Sequence, residues 1–529
     1  MSPCQSTLEI DVPQPVHFTS RFRSPTTPGI ISEEFCAESQ VDGKPTNVIL
    51  PDDKEWESSN DLDSPLSSTA PRFITRKELE AFKAQYAMPE IQGHKLWGTL
   101  RFEYLSTYRI LMATVFALNL AAVAISFDRA TFRIHQVARR DMAITATSAN
   151  LTANVLMRQE HVINGLFHIA CGVPPSTPLQ LRRQVAKFAY SQGGIHAACG
   201  ISALAWYICF TVQQMFQSHG SRSETVACSV ISTLVIGLLA VVITTSIAGF
   251  RRRFHDHWEL SHRFGGWSAI CLFWAQIIIS AVSSARKASR HAGLVLATTP
   301  SFWMLTVITI CLIYPWLWLR RLPVKAQRRS THAMELRFHN RNVASCASLS
   351  MSVNPVMENH KFVAIPHAPE DPEMGYSVIV SNAGDWTQDF INSPPTHVWH
   401  RGAPIIGMMR IAACFRPVLV ISTGSGIGPC LSFLNCHRGH PAHVLWSARS
   451  PEEVYGGEIL SDVIEADRGA LIVDTKESGR FDLTEVAWAK MQQTKAEAAV
   501  ILSNAKVTRD VVFGLEARGV IAFGAIFDS

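Results

Sequence analysis

Five stretches near the middle of the chain, residues 110–127, 192–216, 226–250, 264–285 and 298–319, contain no Asp, Glu, Lys or Arg. About 20 mainly apolar residues cross the hydrocarbon core of a bilayer as a helix, and a chain that repeats such runs has few other ways to bury them. A sixth stretch, 143–171, is weaker because it holds Arg158, Glu160, His161 and His168. Ionisable groups inside a membrane are costly and face the bundle interior, so this cluster is expected to lock helices together. Six spans leave both ends on one side. With the N-terminus inside, fifteen Lys and Arg flank the inner ends and eight the outer ends, in keeping with the positive-inside bias. The expected core is a membrane-embedded, all-α bundle of six helices over 108–320, with the lipid bilayer as partner and both termini cytosolic.

Charged residues make up 17% of the chain against about 25% for soluble chains, and they are unevenly placed. Residues 1–70 hold twelve acidic and four basic side chains among many Ser, Thr and Pro, with no apolar run able to form a core. Residues 1–72 therefore read as a disordered acidic cytosolic tail. No short apolar stretch follows a basic start, so no cleaved signal peptide is expected. Residues 73–107 begin with an amphipathic helix pattern and read as a segment leading into the membrane. Dense Lys/Arg runs with interleaved aromatics are absent, which excludes a nucleic-acid partner. The twelve cysteines are scattered without a C-x-x-C pair, excluding a disulfide scaffold, a zinc finger and a cysteine-ligated cluster. His255, His257 and His262 do not share a helical face with a carboxylate, so zinc is not expected.

Beyond residue 319 the pattern changes to short apolar runs at 333–338, 376–380, 417–421, 443–446, 470–473 and 499–502, the later ones alternating with helix patterns. That alternation predicts a parallel, doubly wound α/β sheet. The run at 417–421 enters the turn Thr423-Gly424-Ser425-Gly426-Ile427-Gly428-Pro429. Glycine lets a backbone approach a pyrophosphate closely, and the helix start behind it attracts the charge. Pro429 fits such a start.

T-G-S-G-I-G-P resembles the nicotinamide-binding turn of the ferredoxin-NADP reductase superfamily. Gly384-Asp385-Trp386-Thr387 resembles the G-x-W-T segment of NADPH oxidases and ferric reductases. Asn359-His360-Lys361-Phe362-Val363-Ala364-Ile365 stands where that group carries its flavin motif. RQEHVINGLF, GGIHAACGISALAW, HRFGGW and RGVIAFGAIFDS resemble fungal integral-membrane flavoprotein regulators of the TmpA type. The resemblance implies a flavin-binding-like β-barrel over 330–412 and an NAD(P)-binding-like domain over 413–529. It implies FAD contacts from His360, Phe362, Trp386 and Thr387, although Val363 and Pro366 replace the family's hydroxyl residues. It implies NADP(H) at the glycine turn, with Ser447, Arg449 and Tyr455 at the 2′-phosphate, since Arg can grip a phosphate bidentately. An aromatic near the chain end covers the flavin in that superfamily; Phe527 is the expected one, with Phe523 in the core.

The same group holds two haems with paired histidines on its third and fifth helices. Here one histidine survives on each, His196 and His262, while Cys209, Phe210 and Gln276 occupy the partner positions. The resemblance therefore implies a single inner haem b between His196 and His262. The functional expectation is a membrane oxidoreductase that passes electrons from cytosolic NAD(P)H through flavin to a small-molecule acceptor at the membrane, in redox or developmental signalling or a secondary-metabolite pathway. The alternative is a non-catalytic membrane redox sensor that binds dinucleotide only. No nucleophile–base pair or carboxylate dyad points to hydrolysis, and no matched pair of broken helices points to a transporter.

Overall fold

The computed structural model describes residues 73–91, 100, 104–126, 136–216, 221–339, 341–367 and 375–525. The acidic tail expected over 1–72, and Phe527, lie outside the described residues.

Six long helices bundle together: Thr107–Ser126, Gln136–Leu156, Gly193–Phe216, Arg222–Thr245, His255–Ala288 and Pro300–Leu317. Five of them, all but Gln136–Leu156, are long and apolar enough to cross a membrane. Gln136–Leu156 spans about 30 Å at 1.5 Å per residue and packs against Gly193–Phe216 and Pro300–Leu317. Ala203, Trp206, Tyr207, Val235, Phe273 and Ile308 fill the centre. Polar side chains tie helices across the bundle. Asn150 Nδ2 donates to Asn119 Oδ1 at 2.8 Å, and Trp206 Nε1 donates to the same oxygen at 2.8 Å. Such interhelical bonds fix register where apolar packing alone is non-directional. Outward, Leu118, Leu120, Ile125, Ile310 and Leu317 are exposed.

Two four-stranded antiparallel sheets follow, with strands β1 (Arg320–Pro323), β2 (Lys325–Arg328), β3 (Ala333–His339), β4 (Ala347–Ser352), β5 (His360–Val363), β6 (Ile365–Pro366), β7 (Gly375–Ser381) and β8 (His397–Ile406). Their orders are β1-β8-β4-β5 and β2-β3-β7-β6. They enclose Met334, Leu336, Phe338, Leu349, Met351, Val378 and Val380, so this barrel begins at the very end of the last apolar helix rather than at residue 330.

The last layer is a five-stranded parallel sheet of β9 (Val418–Thr423), β10 (Ala442–Ala448), β11 (Leu471–Asp474), β12 (Ala498–Leu502) and β13 (Ile521–Gly524). The order is β11-β10-β9-β12-β13, a doubly wound arrangement whose direction reverses between β9 and β12. After β10 the chain forms two short helices, Pro451–Tyr455 and Gly457–Ala466, broken at Gly456 with φ +93°. Phe523 lies fully buried in β13 against Phe415, 5.2 Å between centroids, as expected of a core residue.

Two expectations about helices are corrected here. The stretch 143–171 is not one span. Its first helix ends at Leu156, and Gln159 caps a second, Glu160–Cys171, by accepting bonds from His161 N and Val162 N. That second helix leaves the bundle and docks on the C-terminal module, where Ile163 and Phe167 pack with Cys346, Ile365, Ile406 and Met409. Asn164 acts as an extra strand partner to β8, donating to Pro404 O at 3.0 Å and accepting from Ile406 N at 2.8 Å. The next helix, Leu179–Tyr190, adds Arg182, which donates to Cys414 O and bidentately to Glu497. Arg158 and Glu160 thus mark the junction where the chain passes from the bundle to the helix docked on the C-terminal module. The amphipathic helix is present at Arg76–Gln85, closed by a Thr75/Glu78 capping box. Its apolar face does not lead into a membrane. Leu79 is buried with Leu483, Val486 and Ala487 of the parallel-sheet domain, and Ile74 N donates to Ile472 O of edge strand β11 at 3.1 Å.

Candidate functional site

The glycine turn sits where a doubly wound sheet opens its crevice, at the carboxyl end of β9 beside β12. β9 is buried through Ser422, and the chain then makes a short 3-10 turn, Gly424–Gly426, before the helix Ile427–Cys436. No side chain caps that helix start; Ile427 N donates back to Gly424 O and Ser425 O within the turn, and Pro429 has no N–H to offer. Thr423 Oγ1 and Ser503 Oγ lie 2.6 Å apart, tying the mouth of β9 to the residue after β12. Trp446, fully buried on β10, donates from Nε1 to Gly424 O at 3.0 Å. A Cβ at Gly426 would stand 2.5 Å from Leu502 O. Gly426 is therefore demanded by the close passage of helix and strand, whatever occupies the crevice. Gly428 faces Ile365 and Ile379 of the barrel at ordinary contact distance, while Thr423, Ser425 and Pro429 are partly exposed around the mouth.

The residues expected at the 2′-phosphate separate into three situations. Arg449 follows β10, is exposed, and has no hydrogen bond or ion pair among the described residues. Asp474 pins the loop beneath it by accepting from Ser450 N at 2.9 Å and Lys476 N at 2.7 Å. Ser447 is almost fully covered on β10. Tyr455 lies deeper. It is buried against Trp446, ring centroids 5.7 Å apart, and burial pushes its hydroxyl up to about 12. That hydroxyl borders the turn, 3.2 Å from where a Cβ on Gly424 would stand.

On the barrel, His360 stacks on Trp386 at 4.0 Å, and Phe362 lies in near-parallel stacking with the same indole at 6.1 Å. Trp386 belongs to the helix Asp385–Asn392. Thr387 is not free to bind a ligand as a donor, since its Oγ1 donates to Gly384 O and accepts from Ala383 N. The arrangement offers an aromatic platform suited to a planar ring, but Val363 and Pro366 leave it without side-chain hydroxyls. Ile365, three residues beyond Phe362, touches the helix that begins at the glycine turn. Platform and turn thus flank one strand segment, about 10 Å of chain at 3.3 Å per residue.

Behind the platform the outer face of β5-β4-β8 meets the end of the bundle. Lys361 and Arg401 both register on Ser350, and Arg401 stacks its guanidinium 4.6 Å from the Trp316 ring centre. His196 and His262 are brought together at the same end, ring centroids 6.3 Å apart. Each ring is tied by Nδ1, His196 to Asn154 O at 2.9 Å and His262 to Ser246 Oγ at 3.3 Å. Among the described residues no set of three or more His, Cys, Asp or Glu could hold a metal ion. The haem expected between this pair gains no specific support.

Sequence reasoning missed Trp446, Leu502 and Ser503. The signal for Trp446 was its position in the strand pattern, whereas Leu502 and Ser503 meet the turn only through the sheet order.

The fold around the turn is an antiparallel barrel followed by a doubly wound parallel sheet. Comparison with known proteins narrows this further. Residues 408–529 match the family model described as adenylate-forming reductase 03009, C-terminal domain. The chain is 34% identical over 441 residues to adenylate-forming reductase 03009 of Coprinopsis cinerea, covering 83% of this chain and 42% of that protein. It is also 34% identical over 446 residues to adenylate-forming reductase 06235 of the same fungus, covering 84% and 42%. The chain thus spans less than half the length of these relatives. Among solved structures, a flavohemoglobin from Malassezia yamatoensis with bound FAD and heme aligns at TM-score 0.35 and 13% identity over 74% of this chain and 98% of that one. A ferredoxin NADP+ reductase from Neisseria gonorrhoeae with bound FAD and NADP aligns at 0.32 and 13% over 39% and 99%. Scores this low add nothing to the topology already described.

These relatives correct the functional expectation. A membrane protein passing electrons to an acceptor at the bilayer, and its alternative of a membrane redox sensor, both give way to the similarity with adenylate-forming reductases. The narrower resemblance to TmpA-type and ferric-reductase proteins is likewise not what these matches support.

Proposed function

We propose that this chain supplies the reductase portion of an adenylate-forming reductase-type activity, in which NADPH reduces an adenylate-activated substrate. The observation that carries the reading is the uncapped helix start behind the glycine turn, at the reversal point of the sheet. The glycines of the turn let a pyrophosphate approach its backbone closely. Arg449, exposed and unpaired among the described residues, reaches the 2′-phosphate. The dihydronicotinamide gives up a hydride that ends on the activated acyl carbon; the acyl–phosphate bond breaks, AMP leaves, and an aldehyde and the oxidised dinucleotide remain. The platform of His360, Phe362 and Trp386 is the place for a flavin, held by stacking, and a flavin there supplies a two-electron relay between nicotinamide and substrate. The residues of the chain bind and orient: Trp446 fixes the turn, and Ile365 and Ile379 close the crevice against water.

We further propose that the bundle is embedded in a membrane with both ends of the chain cytosolic. Five helices have the length and composition to cross one, and their outward apolar side chains would otherwise face water.

Calorimetric titration of the full chain with NADPH and with NADH tests the dinucleotide assignment. Arg449→Ala should weaken NADPH roughly 10- to 100-fold, the loss of a charge-assisted bond, and leave NADH unchanged. Equal effects on the two dinucleotides, or none, refute the role of Arg449. Absence of binding by the unaltered chain refutes the assignment itself.

A further inference from the structure

The turn between β4 and β5, Val353-Asn354-Pro355-Val356-Met357, carries no charge, yet Val353, Val356 and Met357 are 54%, 47% and 49% exposed. The turn holds a fixed shape. Glu358 Oε1 accepts from Val353 N at 3.2 Å and Asn354 N at 2.8 Å, and Asn354 Oδ1 accepts from Val356 N at 3.2 Å. None of the three apolar side chains belongs to the barrel core. Apolar side chains gathered on one exposed, pinned turn mark a contact surface.

The place of the turn in the fold identifies the contact. Helix His255–Ala288, of 34 residues, is about 51 Å long, whereas its uncharged run starts only at Phe264. Residues 255–263 therefore extend ~13 Å beyond that run, through a headgroup layer of roughly 5–7 Å on each side of a bilayer. Arg263, the last of them, donates from Nη1 to Val356 O and Met357 O, both at 2.7 Å. Helical side chains lean toward the helix N-terminus, here away from the apolar run. The turn is thus clamped one side-chain length from the apolar boundary, at headgroup depth. A second clamp is Trp316, at the end of Pro300–Leu317, which carries Arg401 of β8 and packs edge-on against Trp267 at 5.7 Å. Tryptophan is enriched at this level of a membrane. Charge agrees as well. Arg252 and Arg253, on the short helix that follows the span Arg222–Thr245, are exposed, and their guanidinium groups form no hydrogen bond or ion pair among the described residues.

We propose that the β4–β5 turn is a membrane-insertion tip, a reading that rests on the embedded bundle. Val353, Val356 and Met357 enter the inner leaflet at the headgroup–acyl boundary, and Arg252 and Arg253 bind anionic phospholipid headgroups of the same leaflet. The tip fastens the barrel to the bilayer as well as to the bundle.

The full chain in nanodiscs of mixed phosphatidylcholine and phosphatidylserine tests this. Photo-reactive benzoylphenylalanine replaces Met357, and lipid adducts are read by mass spectrometry after illumination. Leu118, exposed on the bundle, and Glu452, exposed beside the parallel sheet, take the same replacement as controls. Adducts should form at 118 and 357 and not at 452. Adducts at 118 with none at 357 overturn the tip and leave the embedded bundle standing. None at 118 overturns the membrane reading, and the tip with it. Cross-links from 357 to a second chain in place of lipid reveal a protein contact and overturn the proposal. Val356→Asp, at an exposed position, should abolish the adduct at 357 and spare that at 118; an adduct that survives it shows proximity without insertion and refutes the tip. Omitting phosphatidylserine should lower the yield at 357 about fivefold, the worth of one arginine beside an anionic surface; equal yields overturn the role of Arg252 and Arg253.

Discussion

Replacing Gly426 with alanine separates packing from chemistry in the glycine turn. The new Cβ would stand 2.5 Å from Leu502 O and 3.0 Å from Ser422 Oγ, whereas ordinary contact begins at 3.4 Å. The gap to be made up is therefore about 0.9 Å (3.4 − 2.5) against a backbone oxygen at the end of the central strand β12. That oxygen cannot retreat without moving a strand paired along its length to β9, so the helix Ile427–Cys436 must shift instead. Overpacking of this kind costs about 1–3 kcal/mol, or roughly 2–10 °C in the unfolding midpoint of a module of some two hundred residues. Gly428→Ala is the internal control. Its nearest neighbours would be side-chain atoms of Ile379 and Ile365 at 3.5 and 3.6 Å, and alanine inside a helix gains up to ~1 kcal/mol over glycine. The two variants should therefore move the midpoint in opposite directions. Thermal unfolding of the full chain, followed by tryptophan fluorescence, reads both. A Gly426→Ala protein as stable as the Gly428→Ala protein would refute the close-passage argument.

Two further outcomes follow from buried charge. Burial, reinforced by Glu465, Glu335 and Glu458, raises the Asp462 carboxyl from 3.8 to about 6. Its folded pKa exceeds its unfolded one, so the ionised group opposes folding fully above pH ~6 and not at all below ~3.8. After allowance for solvent screening, Asp462→Asn should stabilise the full chain by about 1–2 kcal/mol at pH 7–8 and leave it unchanged below pH 4; a gain that persists in acid would show another cause. Arg182, buried and bonded to Thr177 O, Cys414 O and both oxygens of Glu497, should cost about 3–5 kcal/mol as Arg182→Ala. Arg182→Lys should not restore the loss, because an ammonium cannot reproduce the fork; full rescue by lysine in the same unfolding assay would refute the bidentate reading.

Much of the C-terminal half was legible because its elements are locally determined. The apolar runs at 417–421, 443–446, 470–473 and 499–502 are strands β9 to β12, since buried parallel strands read as continuous apolar segments. The barrel was less legible. β1, β2 and β5 alternate weakly or carry charge; each is the end strand of its sheet, paired on one side only, where exposed and charged side chains are tolerated. Of the residues expected at the site, Gly424 and Gly426 form the turn after β9, Arg449 follows β10, and His360 and Trp386 belong to the barrel and the helix beside it. Tyr455 is buried beside the turn, a depth that a motif position does not state. Its burial follows from the break at Gly456, which directs the helix Pro451–Tyr455 inward against Trp446.

The two misread helices share one physical cause. An amphipathic stripe states that a face is buried, not what buries it. Leu79 could have faced headgroups, and Ile163 and Phe167 could have faced neighbouring spans; in both cases the partner is the C-terminal module. The polar residues on the same helices hold the distinguishing information. Asn164 bonds two backbone groups of β8 that no membrane helix would present, Arg182 meets Glu497, and Lys83 meets Glu485 at 2.7 Å. Charged and amide groups placed on the apolar face of a supposed span are costly in lipid but inexpensive against a protein surface that supplies their partners. The cluster Arg158–Glu160–His161 that weakened the sixth span was therefore the mark of a helix turning out of the bundle to fasten the C-terminal module.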